Sequence, residues 1–306
     1  MSHSETLLEE WFNKVISNVE AGHAPWVKPW NGTPIPQAQP MRVVDDRLKP
    51  YAGMYNRWSC AMAPYKSNVF GTFKQFKAAN NPIKKGSKSS VILFRPNMRK
   101  VEDQKTGEEK TAMFGFIPFR AFNAEQTEQG DIWTSEAGEA TATQERELDE
   151  AISKGMTSVM AYFDSPFGAV LGAAGGDAAY YMPSTDTVTM PLRQDFKACQ
   201  EWLSTLIHEA AHSTGHEKRE DRLERTFFGT EVYSFEELVA EFTAAEYMAR
   251  LGLANARLLE NSEAYIKGWA LKLKAMGPTG MKNAITKANK AIKWIEDPAA
   301  LAASKK

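Results

Sequence analysis

Between Cys199 and Ser213 the chain carries His208-Glu209-Ala210-Ala211-His212 inside a run whose apolar residues recur at helical spacing. At about 100° per residue, Cys199, Trp202, Leu203, Leu206, Ile207, Ala210 and Ala211 fall on one side of that helix, and His208 and His212 fall together on the other. Histidines four apart bring two imidazoles to one metal from a single turn. Glu209 between them can reach an attacking water as general base, which is why chemistry of this kind uses the pattern HExxH. The apolar stripe is complete without the histidines, so packing gives no reason for them. Three of the chain's five histidines, His208, His212 and His216, lie in this one short segment. The expected cofactor is one zinc ion per chain, with other divalent metals open.

A catalytic zinc site needs a third protein ligand and an open position. A histidine ten residues after His208 would complete one class of site, but Lys218 stands there. The remaining source is a carboxylate on the following helix, Ser234-Phe235-Glu236-Glu237-Leu238-Val239-Ala240-Glu241. There Phe235, Leu238, Val239 and Phe242 form the apolar stripe, and Glu237 and Glu241 share the opposite face. Glu237 is the favoured ligand, with Glu241 one turn on to orient a ligating histidine. The alternative keeps Glu241 as ligand, because Ser234-x-x-Glu237 also reads as a capping box that would occupy Glu237. Glu236 is the third choice. His216, just past Gly215 where the helix should end, is read as a structural or substrate-side residue. The extended segment Ala179 to Met190 is a candidate edge strand for a substrate backbone, and Tyr180, Tyr181 and Tyr233 are candidate donors to an oxyanion.

The formal net charge of −1 conceals a segregation. From Arg47 to Val101 there is no acidic residue, while twelve lysines and arginines fall there. A one-sign block in a near-neutral chain points to a polyanion partner. Aromatic residues are interleaved with the cations, the combination that holds single-stranded nucleic acid by phosphate contact and base stacking. The candidate DNA-binding residues are Trp26, Trp30, Tyr51, Arg57, Trp58, Lys74, Lys84, Lys85 and Lys88, and an acidic protein is the competing partner.

The 306 residues have room for two ordinary domains. Two cysteines, Cys60 and Cys199, are too few for a disulfide scaffold or a cysteine-rich zinc knuckle. With no basic-then-apolar leader and no apolar run near the roughly 18–20 residues that cross a bilayer, a cytoplasmic protein without membrane contact is expected. Helical spacing runs from Leu7 to Val19, Phe73 to Ala79, Gln144 to Lys154, Phe196 to Ser213, Ser234 to Leu251, Ser262 to Met276 and Met281 to Ile295. Tyr51 to Ala63 reads as either helix or loop. Strands are expected at Val91–Phe94 and Met113–Phe119, around a hairpin tip near Lys105-Thr106-Gly107. Residues 128–143, acidic and poor in large apolar side chains, read as a linker between residues 1–127 and 144–306. The fold class is α+β, with a mixed N-terminal nucleic-acid-binding domain and a mainly helical C-terminal domain with a small sheet.

These motifs, in order, resemble the ArdC-type antirestriction proteins over nearly the whole chain. The N-terminal matches include Ala24-Pro25-Trp26-Val27-Lys28-Pro29-Trp30, Tyr51-Ala52-Gly53-Met54-Tyr55-Asn56, Lys85-Gly86-Ser87-Lys88 and Phe122-Asn123-Ala124-Glu125-Gln126-Thr127. The C-terminal ones include Tyr181-Met182-Pro183-Ser184-Thr185-Asp186, His208 to His216, Glu236 to Glu241, and Asn261 to Ile266 with Trp269. The resemblance implies a single-stranded DNA-binding domain joined to a zincin-like metallopeptidase domain, on a mobile element whose DNA it protects from host restriction. A host restriction component is then a candidate protein substrate. A DNA-coating protein with a structural or vestigial metal site is the alternative.

Overall fold

The computed structural model describes residues 2–26, 39–44, 47–89, 91–102, 107, 109–133, 142–173, 177–223, 231–253 and 263–304. They fall into two compact units, one from Met1–Ala21 and Pro29–Ala137, the other from Gly22–Lys28 and Gly138–Lys306. Both mix helices with small sheets, the α+β class expected.

In the first unit, α1 (His3–Glu20) starts from a reciprocal cap. The Ser2 hydroxyl accepts from the Glu5 N–H and the Glu5 carboxylate accepts from the Ser2 N–H. The face it buries is the one its spacing predicts: Leu7, Trp11, Phe12, Val15, Ile16 and Val19. β1 (Met41–Val44) and β2 (Arg47–Pro50) pair antiparallel. α2 (Met54–Ala61) settles the ambiguous segment as helix. β3 (Phe70–Gly71) and α3 (Phe73–Ala78), capped by Thr72, lead to two long strands, β4 (Val91–Glu102) and β5 (Glu109–Asn123), in sheet order β3-β5-β4. These strands run well past the expected Val91–Phe94 and Met113–Phe119. Their outer halves are held by cross-strand backbone pairing and carry charged residues, so hydrophobic alternation does not reveal them. Lys105 and Thr106 of the expected tip lie outside the described residues. In the core the Trp11 indole N–H donates to Ser59 Oγ at 2.9 Å, and Tyr55 stacks on Phe94 with ring centroids 4.5 Å apart. Asn56 stands in for a further strand beside β4, donating to Phe94 O (2.9 Å) and accepting from Phe94 N–H (2.7 Å).

The second unit begins with α4 (Ala142–Asp164), longer than the spacing suggests. The small sheet follows: β6 (Val170–Ala173) pairs parallel with β8 (Thr187–Met190), and β7 (Tyr180–Met182) pairs antiparallel with β8. The segment from Ala179 to Met190 is therefore a hairpin, and only its first arm is an edge strand. Then come α5 (Cys199–Ser213), α6 (Glu231–Arg250), α7 (Glu263–Glu296) and α8 (Pro298–Ser304). The two helices expected in α7 are its two limbs, separated where Gly277 adopts φ 66° ahead of Pro278. Val159, Tyr162, Val188, Met190, Leu203, Leu206, Ile207, Ala244, Tyr247 and Ile292 form the core around α5. Cys199, placed on the buried stripe by its spacing, is exposed instead. It is the first residue of α5, where the sulfur accepts from the Arg193 guanidinium at 2.7 and 3.2 Å. No helix among the described residues is long and apolar enough to cross a membrane.

Candidate metal centre

α5 is buried on two sides. Leu203, Leu206 and Ile207 face the core, and α6 packs against the helix as well, leaving His208 only 1% exposed. α6 is itself buried nearly all round from Leu238 to Met248. The two helices bring His208, His212 and Glu237 together, with one ligand atom from each within 4.8 Å of the others. The two Nε2 atoms lie 3.1 Å apart, His212 Nε2 lies 3.5 Å from Glu237 Oε1, and His208 Nε2 lies 3.7 Å from Glu237 Oε2. Donors set tetrahedrally about 2.1 Å from a zinc-sized ion would be about 3.4 Å apart, so these separations fit one such ion. Two neutral nitrogens and a carboxylate are also the donor set such an ion takes.

Glu241, one turn beyond Glu237, takes a different position. Its Oε1 lies 3.7 Å from His208 Nδ1, the ring nitrogen turned away from the three-donor cluster. The two glutamates are thus distinguished by the two faces of one imidazole. The capping alternative for Glu237 also loses its basis, because α6 begins at Glu231 and Ser234 lies within the helix. Glu236 turns elsewhere: its carboxylate accepts from Arg222 Nε at 3.1 Å, and Arg222 also donates to Thr214 Oγ1 and Ala211 O, both at 3.0 Å. Burial alone would lower the His212 pKa, but hydrogen bonding to Glu237 and the charges of Glu209, Glu237 and Glu236 outweigh it and raise it. Burial would likewise raise Glu237, yet the two imidazoles beside its carboxylate hold it far below the usual carboxylate range. Glu209, buried beside His208, is close enough to His212 to act on its charge.

The loop after α5 is fastened by two buried arginines. Arg219 donates from Nε to Ser213 O at 2.8 Å and pairs with Asp186 in the β7–β8 turn, which also accepts from the Tyr181 hydroxyl at 2.9 Å. The turn is thereby tied to the end of the histidine helix. Gly215 makes the fold-back possible, since a Cβ there would press within 2.9 Å of Leu223 Cγ and 3.1 Å of His212 O. His216 is outside the three-donor cluster; its Nδ1 accepts from Lys218 N–H at 3.2 Å and stands 3.9 Å from Asp186. Of the candidate oxyanion donors, Tyr181 is committed to Asp186, Tyr180 is exposed on β7, and the Tyr233 side chain lies outside the described residues. Spacing offered no signal for Arg219, Arg222 or Asp186, because their partners are distant in sequence.

The aromatic candidates for DNA contact need correcting. Tyr51 and Trp58 are buried in the first unit, and Trp26 is buried in the second, its ring edge-on to Phe242 at 5.3 Å. A base stacks only on an open ring face, and these rings are spent on packing. Trp30 lies outside the described residues. Lys74, Lys84, Lys85 and Lys88 are exposed, whereas Arg57 is half-buried and donates to Gln39.

Residues 5–131 match the family described as the N-terminal domain of anti-restriction factor ArdC, and residues 163–290 match the zincin-like metallopeptidase family. The fold also matches crystal structures of the antirestriction ArdC protein from the R388 plasmid. The metal-free form is 28% identical with a TM-score of 0.61, covering 96% of this chain and 97% of that one. The Mn(II)-bound form is 25% identical with a TM-score of 0.65, covering 96% and 98%. The uncharacterized protein y4eC of Sinorhizobium fredii is 26% identical over 94% of this chain and 91% of its own length. The DNA primase TraC of Escherichia coli is 29% identical over 84% of this chain, which spans only 17% of the primase.

Proposed function

The chain is of the ArdC antirestriction type, an ArdC N-terminal domain followed by a zincin-like metallopeptidase domain, and we propose that it binds single-stranded DNA and hydrolyses a peptide bond with a zinc ion held by His208, His212 and Glu237. The observation that carries the metal reading is the convergence of those three donors, with Glu241 behind His208 Nδ1. An ion bound there supplies Lewis-acid polarisation of a carbonyl and of water. Glu209 takes the proton from the attacking water and delivers it to the leaving amine. Glu241 holds the His208 ring in one orientation and tautomer. β7, which pairs only with β8 among the described residues and packs against α5, offers its other edge to a substrate backbone. The acid-free block from Arg47 to Val101, with Lys74, Lys84, Lys85 and Lys88 exposed, supports the DNA reading. The antirestriction type supports a role in protecting a mobile element's DNA in the host cytoplasm, with a host restriction component as the candidate substrate.

The test is Glu209→Gln in the zinc-loaded full chain. We expect metal content unchanged and cleavage of an unfolded protein substrate lowered by about 100-fold or more. Undiminished cleavage would contradict the assignment. If the variant protects incoming DNA from restriction as fully as the parent, protection comes from coating the DNA and not from proteolysis.

A further inference from the structure

Beyond Arg95 on β4 and Ile117 on β5 the antiparallel pair continues, among the described residues, as a two-stranded ribbon, since β3 reaches only Phe122 and Asn123. A ribbon without a third strand or a helix over it has two wet faces, and polar side chains are expected on both. This one instead exposes Met98 (53%), Met113 (54%) and Phe114 (51%). Directly opposed residues share a face, so Met98 and Met113 lie side by side with Lys100 and Thr111 next along. On the other face Phe114 lies diagonally from Arg99, whose guanidinium is 5.4 Å from the ring centre. Lys100 is paired with Glu109 at 2.9 Å. Arg95 and Arg99 are exposed, and neither has a carboxylate at ion-pair distance among the described residues.

We infer that the distal β4–β5 ribbon is the surface on which single-stranded DNA docks, on the face that carries Phe114 and Arg99, with a base stacked on Phe114 and the exposed Arg95 and Arg99 taking phosphates. This rests on the DNA reading above and gives it a location different from the buried tryptophans. Charge complementarity selects the occupant: exposed cations beside a half-exposed aromatic ring are what a phosphate backbone with unstacked bases requires. None of the contacts reads a base edge, so the binding is indifferent to sequence.

The experiment is fluorescence anisotropy of a labelled oligo-dT strand with the full chain at two salt concentrations, using the parent, Phe114→Ala, Arg99→Glu, and a control with Lys84, Lys85 and Lys88 all changed to Ser. All the changed side chains are exposed, and thermal unfolding checks that each variant is folded. We expect Phe114→Ala to weaken binding about tenfold, since one stacked base is lost. Arg99→Glu should weaken it further and flatten the salt dependence, because a phosphate contact is removed. Salt-dependent parent binding that survives both ribbon changes, or is lost only in the lysine control, overturns the ribbon and leaves DNA binding standing. No parent binding, or binding displaced by polyglutamate but indifferent to unlabelled oligo-dT, overturns both.

Discussion

The Glu241 carboxylate stands 3.7 Å from Nδ1 of His208, on the far side of the ring from Glu237. A carboxylate that hydrogen-bonds a ligating imidazole would fix its orientation and make its other nitrogen a better metal donor. Glu241→Gln keeps the shape and removes the charge. It should lower zinc affinity by about 10- to 100-fold, read by competition with a chromophoric chelator, while one ion per chain still binds at saturation. An unchanged affinity would separate Glu241 from the site.

Arg222 and Glu236 form a buried pair that pins the loop after α5 to α6. Arg222→Ala leaves a buried carboxylate without its main partner. The expected loss is about 3 kcal/mol in denaturant-induced unfolding of the second unit. Removing the partner charge as well, with Glu236→Gln, should recover part of that loss.

Trp26 lies far from α6 in sequence and packs edge-on against Phe242, the residue after Glu241. The second unit therefore includes a segment that precedes most of the first. Trp26→Ala should destabilise that unit by about 3 kcal/mol, and a fragment starting at residue 138 should unfold at lower temperature than the same unit in the full chain. Equal transitions in the two would contradict the anchoring role.

Asp186 is held below the ordinary carboxylate range. Burial would raise it, but hydrogen bonds from Arg219 and Tyr181, with the charges of Arg219 and His216, outweigh that. Its contribution is therefore complete above an aspartate's ordinary pKa of about 3.9 and is lost as the pH falls through the lower folded value. Asp186→Asn should cost about 3 kcal/mol at neutral pH, where Arg219 is left buried without its countercharge. The gap between variant and parent should close in acid, and a gap that stayed constant down to pH 2 would show that Asp186 does not stabilise through its charge.

Most of the candidate three-donor cluster was legible because it is local. His208 and His212 are related by one helical turn, and Glu237 and Glu241 by another, so periodicity alone groups them. What separates the two glutamates in space is the position of α6 relative to the His208 ring, and the start of that helix at Glu231, neither of which spacing encodes. The aromatic residues misled for a related reason: composition cannot tell a ring facing solvent from one in a core, and Tyr51, Trp58 and Trp26 proved to be core. The outer halves of β4 and β5 were hidden because backbone pairing holds a ribbon whose side chains show no apolar alternation.

The most direct test of the three-ligand site is zinc stoichiometry with X-ray absorption on the full chain, for the parent, His212→Ala, Glu237→Ala and Glu241→Gln. The parent should hold one ion with two imidazoles and a carboxylate oxygen in its first sphere. His212→Ala and Glu237→Ala should each lose the ion, and Glu241→Gln should keep the parent's spectrum. A parent-like spectrum in Glu237→Ala together with loss of the ion in Glu241→Gln would exchange the two glutamates and contradict the account.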